Sequence, residues 1–228
     1  MVPDYAQNFF DVRAADIDEL KRMHSWVLDI AKGAALMTQT RFEEVFLGYA
    51  ANVIPNRVIA RVLHSVMEEI GAPTWTEDEL EFAEEMQSQF GPELIGQAIA
   101  HIEETGITPR QNKICDFIIP YSDKIEGGKG STDVGDVSWV VPTAQFNTAC
   151  YVLGIPGHSW AIASCSGMSI GHKGMLYAAK ILGVTGYRFL TDADLRDRAR
   201  AEWKYRLKGR KYESLIPPEI KTPPLPFE

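Results

Sequence analysis

The chain has 228 residues, of which 45% are apolar and 24% are charged, a composition that excludes a disordered or low-complexity protein. The 31 acidic residues outnumber the 23 Lys and Arg residues and give a net charge of −8, so the chain is a poor candidate for binding nucleic acids or anionic membranes. Its length is typical of one or two domains, and no apolar run reaches the roughly 18 residues of a membrane-spanning helix.

Cysteine usage and the first residues bear on the cellular compartment. The chain has three cysteines without C-x-x-C spacing, which predicts neither a disulfide framework nor a zinc knuckle. The residues after Met1 lack the basic start and the apolar stretch of a secretory signal. We therefore expect a cytoplasmic protein.

The N-terminal part predicts a strand, a helix and a second strand. The apolar run 5–12 is strand-like. Asp16 and Glu19 form the pattern of a capping box at the start of a helix, and Gly33 suits its C-terminal end. The run 40–47, with Phe and Val, predicts the second strand. This order is half of a ferredoxin-like sandwich.

Helices and strands are predicted to alternate after residue 52. Asn56 opens a helix with a 3.6-residue apolar period, Thr76 and Glu79 form a second capping box, and Pro92 starts a third helix. The remaining elements are strands over 113–120, 136–141 and 147–153, and helices over 172–182 and 192–208. This alternation predicts an α/β fold class.

A glycine-rich loop over 127–135 has the composition of a phosphate-binding loop but not its spacing. Gly130 separates Lys129 from Ser131, and Asp123 stands where the motif requires its first glycine. The nucleotide interpretation therefore fails. The alternatives are a solvent loop, or a loop whose Asp133 and Asp136 face a cleft at the end of a sheet.

The segment 157–161 (GHSWA) resembles the nucleophile elbow of serine hydrolases, with Ser159 as the nucleophile. After Ser159 the next histidine is His172, and no acidic residue lies between them, so the usual triad order is missing. Cys165 is a lone cysteine, a residue type that is usually buried and inert. His158 and His172 are each either a metal ligand or a hydrogen-bonded packing or capping residue.

The basic residues between Arg196 and Lys211 alternate with acidic ones. Mixed charge at this spacing is typical of a solvated helix face with ion pairs between successive turns, rather than of a nucleic-acid surface.

Three stretches of the chain stand out together: 130–143 (GSTDVGDVSWVVPT), 156–160 (PGHSW) and 170–180 (IGHKGMLYAAK). They resemble the zinc-dependent aminoacylase/carboxypeptidase family of amidohydrolases, most closely the branch formed by the B-subunit of aminobenzoyl-glutamate hydrolase. The residues 2–14 and 32–38 resemble the lid domain of that branch.

The resemblance implies a catalytic α/β domain that carries two divalent metal ions, zinc or manganese, and a ferredoxin-like lid that makes a homodimer. It implies that His158 is a metal ligand. It also implies that Gly130, Ser131, Thr132 and Asp133 form a loop at the substrate pocket. His172 and Lys173 match the branch pattern, but the resemblance assigns them no role.

The chain departs from the family in its metal ligands. Family members supply most ligands and a general-base Glu from a His-x-Asp and a Glu-Glu motif before the lid. None of the five histidines here has Asp two positions later. The Glu-Glu pairs at Glu43, Glu68, Glu84 and Glu103 fall in predicted helices or in a lid strand. A hydrolytic zinc needs about three protein ligands, and this chain offers one.

We therefore expect a C-terminal fragment of an amidohydrolase, inactive alone, whose family cleaves the amide bond of an N-acyl amino acid such as aminobenzoyl-glutamate. Residues 1–52 are the expected half of the lid and dimerisation domain, and residues 53–228 the expected part of the catalytic domain. Met1 is then an internal methionine of a longer reading frame. The expected partner is a second copy or a complementing N-terminal chain. The alternative is a non-catalytic protein that dimerises or regulates.

Overall fold

A computed structural model describes residues 4–124 and 130–220, and in these ranges the protein is helical. No strand is present in this part of the chain, so the α/β prediction is wrong. The helices are α1 (Ile17–Thr38), α2 (Arg57–Ile70), α3 (Glu77–Ser88), α4 (Pro92–Glu103), α5 (Val134–Val140), α6 (Trp160–Ser166), α7 (Ser169–Thr191) and α8 (Ala193–Leu207).

Four of the predicted strands, over 5–12, 40–47, 113–120 and 147–153, have no regular secondary structure. A strand exists only when a neighbouring segment accepts and donates its backbone hydrogen bonds. Among the described residues, an isolated β-bridge pairs Pro55 with Thr143. The four segments therefore have the apolar and β-branched composition of strands, but they do not pair with a neighbouring segment.

The fifth predicted strand, 136–141, lies mostly within α5. The buried residues of α5 are Gly135, Ser138 and Trp139. They follow the i, i+3, i+4 spacing of a helix rather than the alternation of a strand. A Cβ atom at Gly135 would lie 1.8 Å from the backbone oxygen of Ala51. Gly135 therefore allows α5 to approach the chain at Ala51 closely.

Helix α1 begins where the sequence predicts but ends later. The Asp16 carboxylate accepts hydrogen bonds from the backbone N–H groups of Asp18 and Glu19, both at 3.0 Å. The expected end at Gly33 is wrong, because the helix continues to Thr38 and Gln39 takes the left-handed conformation that ends it. Gly33 is exposed, a position where a helix tolerates glycine at a modest cost.

The predicted caps of the next helices are confirmed. The Asn56 side chain accepts a hydrogen bond from the N–H of Ile59. Thr76 and Glu79 form a complete capping box at α3. Pro92 stands at the start of α4, a position that does not require its missing N–H.

The chain divides into two compact units. The first unit contains Met1–Pro55, Glu126–Thr143 and Tyr205–Glu228, and the second contains Asn56–Ile125 and Ala144–Lys204. These units do not test the expected boundary at residue 52, which stays a prediction.

The first unit has a small core around Trp139. The indole of Trp139 donates a hydrogen bond to the backbone oxygen of Asn52 at 2.8 Å, and the N–H of Ile54 donates to the Ser138 hydroxyl at 2.8 Å. The Arg210 guanidinium lies 4.9 Å from the centre of the Trp139 ring, a cation–π geometry. These contacts join segments that are far apart in sequence.

The second unit is built around α7, which packs against α2 and α6. Gln87 of α3 donates hydrogen bonds to the backbone oxygens of Asn112 and Leu153 and so anchors two segments without regular structure. Many of its buried apolar residues belong to two clusters: Leu63, Val66, Tyr177 and Ile181; and Ala83, Met86, Ile114, Val152, Ile155, Ala161, Cys165 and Ile170.

None of the helices in the described ranges combines the length and the apolar character needed to cross a membrane.

Candidate functional site

The predicted pocket loop lies in the first unit, directly before α5. Gly130, Ser131 and Asp133 are exposed and Thr132 is half-buried. The Thr132 hydroxyl accepts a hydrogen bond from the N–H of Val134 at 3.3 Å. Asp133 is the N-cap residue of α5, but its carboxylate makes no capping hydrogen bond. The rest of the glycine-rich loop, residues 127–129, lies outside the described residues.

Asp136, the other acid of this segment, has a structural role. Its carboxylate accepts hydrogen bonds from the Tyr212 hydroxyl at 2.8 Å and from the N–H of Ala51 at 3.2 Å. Burial, together with the negative charge of Asp136 and the nearby Tyr212, raises the pKa of Tyr49 to about 12. Asp136 therefore ties three segments of the first unit together. Neither Tyr49 nor Tyr212 was predicted at this place, because both are far from Asp136 in sequence.

His158 lies in the second unit, at the turn before α6. Its backbone φ is +53°, which is uncommon for a residue with a Cβ atom. Its side chain is exposed. The next hydroxyl, that of Ser159, donates a hydrogen bond to the backbone oxygen of Pro156 at 2.6 Å. The His158 imidazole is therefore accessible to solvent. The Ser159 hydroxyl stabilises the turn through its hydrogen bond to Pro156.

An aromatic residue, Trp160, follows this turn as the first residue of α6. The ring of Trp160 is stacked on that of Phe90, with the ring centres 5.8 Å apart, although Trp160 is 60% exposed. The imidazole of His158 and the indole of Trp160 are therefore both accessible to solvent.

His172 and Lys173 have different environments on α7. His172 is exposed. The Lys173 ammonium donates hydrogen bonds to the Glu79 carboxylate at 2.7 Å and to the backbone oxygen of Thr74 at 3.2 Å, and it lies 5.6 Å from the centre of the Trp75 ring. Lys173 therefore joins α7 to the start of α3.

Glu79 is buried, with an exposed fraction of 5%. Burial alone would raise its pKa, but hydrogen bonds from Lys173, from the Ser169 hydroxyl and from the N–H of Thr76 lower the pKa to about 2. A carboxylate this strongly bound is held in its charged form. The arrangement positions α3 and α7, and it was not predicted because Glu79 and Lys173 are far apart in sequence.

Two of the three cysteines, Cys115 and Cys165, have thiols whose pKa is raised by burial. Cys165 is fully buried, and burial raises the pKa of its thiol. Burial and the charge of Asp116 raise the pKa of Cys115 to about 11. Protonated, buried thiols are poor nucleophiles; the expected burial of Cys165 is confirmed, and its inertness stays a prediction.

A complete metal site is not found within residues 4–124 and 130–220. No group of three or more His, Cys, Asp or Glu side chains in these ranges is placed so that it could hold a metal ion. A hydrolytic zinc needs about three protein ligands and an open position. The described residues therefore do not fit a whole zinc or manganese centre, and His158 as a metal ligand stays a prediction.

The sequence was also compared with known proteins. No family model matches it. No solved structure matches it. The B-subunit of p-aminobenzoyl-glutamate hydrolase from Escherichia coli (strain K12) is 30% identical to it over 233 aligned positions, which include 99% of this chain. This chain is a relative of that E. coli protein.

The resemblance to the aminobenzoyl-glutamate hydrolase branch is thus confirmed. The aligned region is 48% of the length of the E. coli relative, so this chain spans about half of it. By its name, the relative is one subunit of a hydrolase.

Proposed function

We propose that this chain is part of a metal-dependent amidohydrolase and that it contributes residues to an active site which further polypeptide must complete. The proposal rests on the 30% identity to the E. coli relative over 99% of the chain. The proposed reaction is hydrolysis of the amide bond of an N-acyl amino acid. Aminobenzoyl-glutamate, which the name of the relative contains, is the first substrate to test.

His158 is the proposed metal ligand, and the loop 130–133 the proposed pocket wall. Two observations support these roles. The His158 side chain is exposed, and the Asp133 carboxylate is exposed and is not used to cap α5. Both groups are accessible to a ligand. The other ligands of a zinc or manganese ion, and the general-base Glu, come in this proposal from the half of the relative that this chain does not cover.

The chain alone is proposed to be inactive. Its sequence has no His-x-Asp motif, and the described residues contain no cluster of ligands. One imidazole cannot hold a hydrolytic ion in the required geometry.

The test is an assay of p-aminobenzoyl-glutamate hydrolysis at saturating zinc or manganese. Water cleaves the amide to p-aminobenzoate and glutamate, and both products are measured. We expect no turnover by the chain alone. We expect turnover when it is co-expressed with the part of the E. coli relative that it does not match, and loss of that turnover in His158→Ala.

Two results would contradict this proposal. Turnover by the purified chain alone would show that its own residues complete a site. Unchanged turnover in His158→Ala, with Trp160→Ala as a neighbouring control, would remove the role given to His158.

A second candidate is a non-catalytic protein that dimerises or regulates, as a homodimer or with a complementing chain in the cytoplasm. The first unit favours association, because α1 exposes Trp26, Ile30, Leu36 and Met37 by 61–82%. Apolar surface of this extent is typical of an interface. An associated but inactive complex would favour this candidate.

A further inference from the structure

The first unit contains a cavity of about 380 Å³ beside α1. Three parts of this unit line it: α1, the segment 44–46 and the segment 215–220. Its volume falls within the range of small-molecule sites, roughly 300–1,000 Å³. The cavity is separate from the proposed active site, because neither His158 nor the loop 130–133 lines it.

The first two walls of the cavity are joined through His24. Lys21 and His24 are three residues apart on α1, so they lie on the same side of the helix. The imidazole of His24 donates a hydrogen bond to the Glu44 carboxylate at 2.6 Å. The ring of Phe46 is perpendicular to the imidazole, with the ring centres 6.1 Å apart. His24 therefore holds the segment 44–46 against α1.

The third wall is the segment that follows α8. It is anchored by the Tyr212 hydroxyl, which donates a hydrogen bond to Asp136 at 2.8 Å. The N–H of Ile220 donates to the backbone oxygen of Pro217 at 2.9 Å, which forms a turn at the cavity. Leu215 and Ile220 are half-buried there. The wall is thus a bound segment with apolar side chains.

The charged groups of the cavity retain hydrogen-bonding capacity. The Lys21 ammonium lies 3.7 Å from the Glu213 carboxylate, which is longer than a hydrogen bond. The Glu44 carboxylate accepts from His24 through one oxygen, while a carboxylate can accept about four hydrogen bonds. Glu219 is exposed and lines the same cavity. The cavity therefore offers a cationic donor and anionic acceptors to one ligand.

The mixture of groups narrows the class of ligand. A metal ion is a poor occupant, because no group of three or more His, Cys, Asp or Glu side chains in the described ranges could hold one. A purely anionic ligand would meet two carboxylates, Glu44 and Glu219, beside one ammonium. A purely cationic ligand would meet the Lys21 ammonium. A small zwitterion with an apolar part satisfies both charges and the apolar wall.

We infer that this cavity binds a free α-amino acid with an apolar side chain, such as leucine. The ligand carboxylate binds the Lys21 ammonium, and the ligand ammonium binds the Glu44 carboxylate. The ligand side chain packs against Phe46, Leu215 and Ile220. The inference goes beyond the proposed function and does not depend on it, since no proposed active-site residue lines the cavity.

The test is equilibrium dialysis of radiolabelled leucine against the purified full chain. We expect saturable binding of one leucine with a Kd of roughly 0.1–1 mM, because a ligand this small gains little affinity even when it fits well. Unlabelled analogues then compete with the label. We expect 4-methylpentanoate, which lacks the ammonium, and 3-methylbutylamine, which lacks the carboxylate, to bind at least about tenfold more weakly than leucine.

Glycine tests the apolar wall, because it keeps both charges and lacks the side chain. It should also compete at least about tenfold more weakly than leucine. Since these comparisons use the wild-type chain, they do not depend on the folding of a variant.

Two variants with matched controls locate the binding. Lys21→Met and Glu44→Gln should each weaken leucine binding at least about tenfold. Lys32→Met and Glu43→Gln should leave it unchanged, because Lys32 and Glu43 are nearby residues that do not line the cavity. Circular dichroism should show the same helix content in all four variants.

Three results would overturn the inference. The first is leucine binding that does not saturate below about 10 mM. The second is equal competition by leucine and by either singly charged analogue. The third is equal leucine affinity in Lys21→Met, Glu44→Gln and their controls, which would place the bound leucine elsewhere on the chain.

Discussion

The Glu79 carboxylate is buried between the start of α3 and α7, and three donors hold it: Lys173, Ser169 and the N–H of Thr76. The same residue completes the capping box of α3. Removal of one partner from a buried pair leaves a charge that water cannot reach, which costs more than the pair itself contributes.

We expect Lys173→Met to lower the free energy of unfolding by about 2 kcal/mol near neutral pH, because Glu79 keeps its burial and loses its cation. Since the folded-state pKa of Glu79 lies below its unfolded value of 4.5, its ionised form stabilises the wild type above that pH. This contribution is lost as the pH falls toward about 2. The difference between variant and wild type should therefore shrink in acid. Urea denaturation at about pH 7 and about pH 4 measures both effects.

Lys113→Met provides the comparison, because Lys113 pairs with the exposed Glu84 at 2.6 Å. Exposed pairs contribute little, so this variant should lose much less stability than Lys173→Met. Equal losses in the two variants would contradict the assignment of Glu79 as a buried, cation-dependent group.

At the scale of a secondary-structure element, α7 has two faces on which glycine has opposite consequences. A Cβ atom added at Gly174 would lie against backbone atoms of Ala149 and 2.5 Å from the Cys150 sulfur. Gly183 has open space at that position. The helix is therefore tightly constrained on its inner face and unconstrained by the described residues on its outer face.

We expect Gly174→Ala to destabilise the chain by about 1–3 kcal/mol, because the added methyl group must displace backbone. We expect Gly183→Ala to stabilise the isolated chain by up to about 1 kcal/mol, because alanine is the better helix former and meets nothing. Thermal unfolding followed by circular dichroism measures both. A change of the same sign in the two variants would show that the faces are not distinct.

At the scale of the whole molecule, local signals predicted the starts of α2, α3 and α4. The Asn56 cap, the Thr76–Glu79 capping box and Pro92 each mark a helix start that the structure confirms. These signals act within one helical turn. Strand pairing requires a distant segment, and the runs 5–12 and 40–47 have strand composition without a paired neighbour.

The candidate site was predictable only residue by residue. The family resemblance implied roles for His158 and the loop 130–133, but it did not show which groups surround them. The pairing of Glu79 with Lys173 and of Asp136 with Tyr212 joins residues 94 and 76 positions apart, and no local spacing encodes such contacts. The prediction of a strand over 136–141 was wrong. The apolar composition of this run is typical of a strand, but its buried residues follow the spacing of helix α5.

Metal content gives the last prediction, because it depends on the whole set of donors rather than on one residue. We expect the purified chain, dialysed after exposure to zinc, to retain well below one ion per molecule, since one exposed imidazole binds zinc weakly. Atomic absorption measures the retained zinc, and His158→Ala should change it little. Co-expression with the unmatched part of the E. coli relative should raise zinc retention, and His158→Ala should then lower it. Two tightly held ions in the chain alone would show that its own side chains suffice for the metal centre.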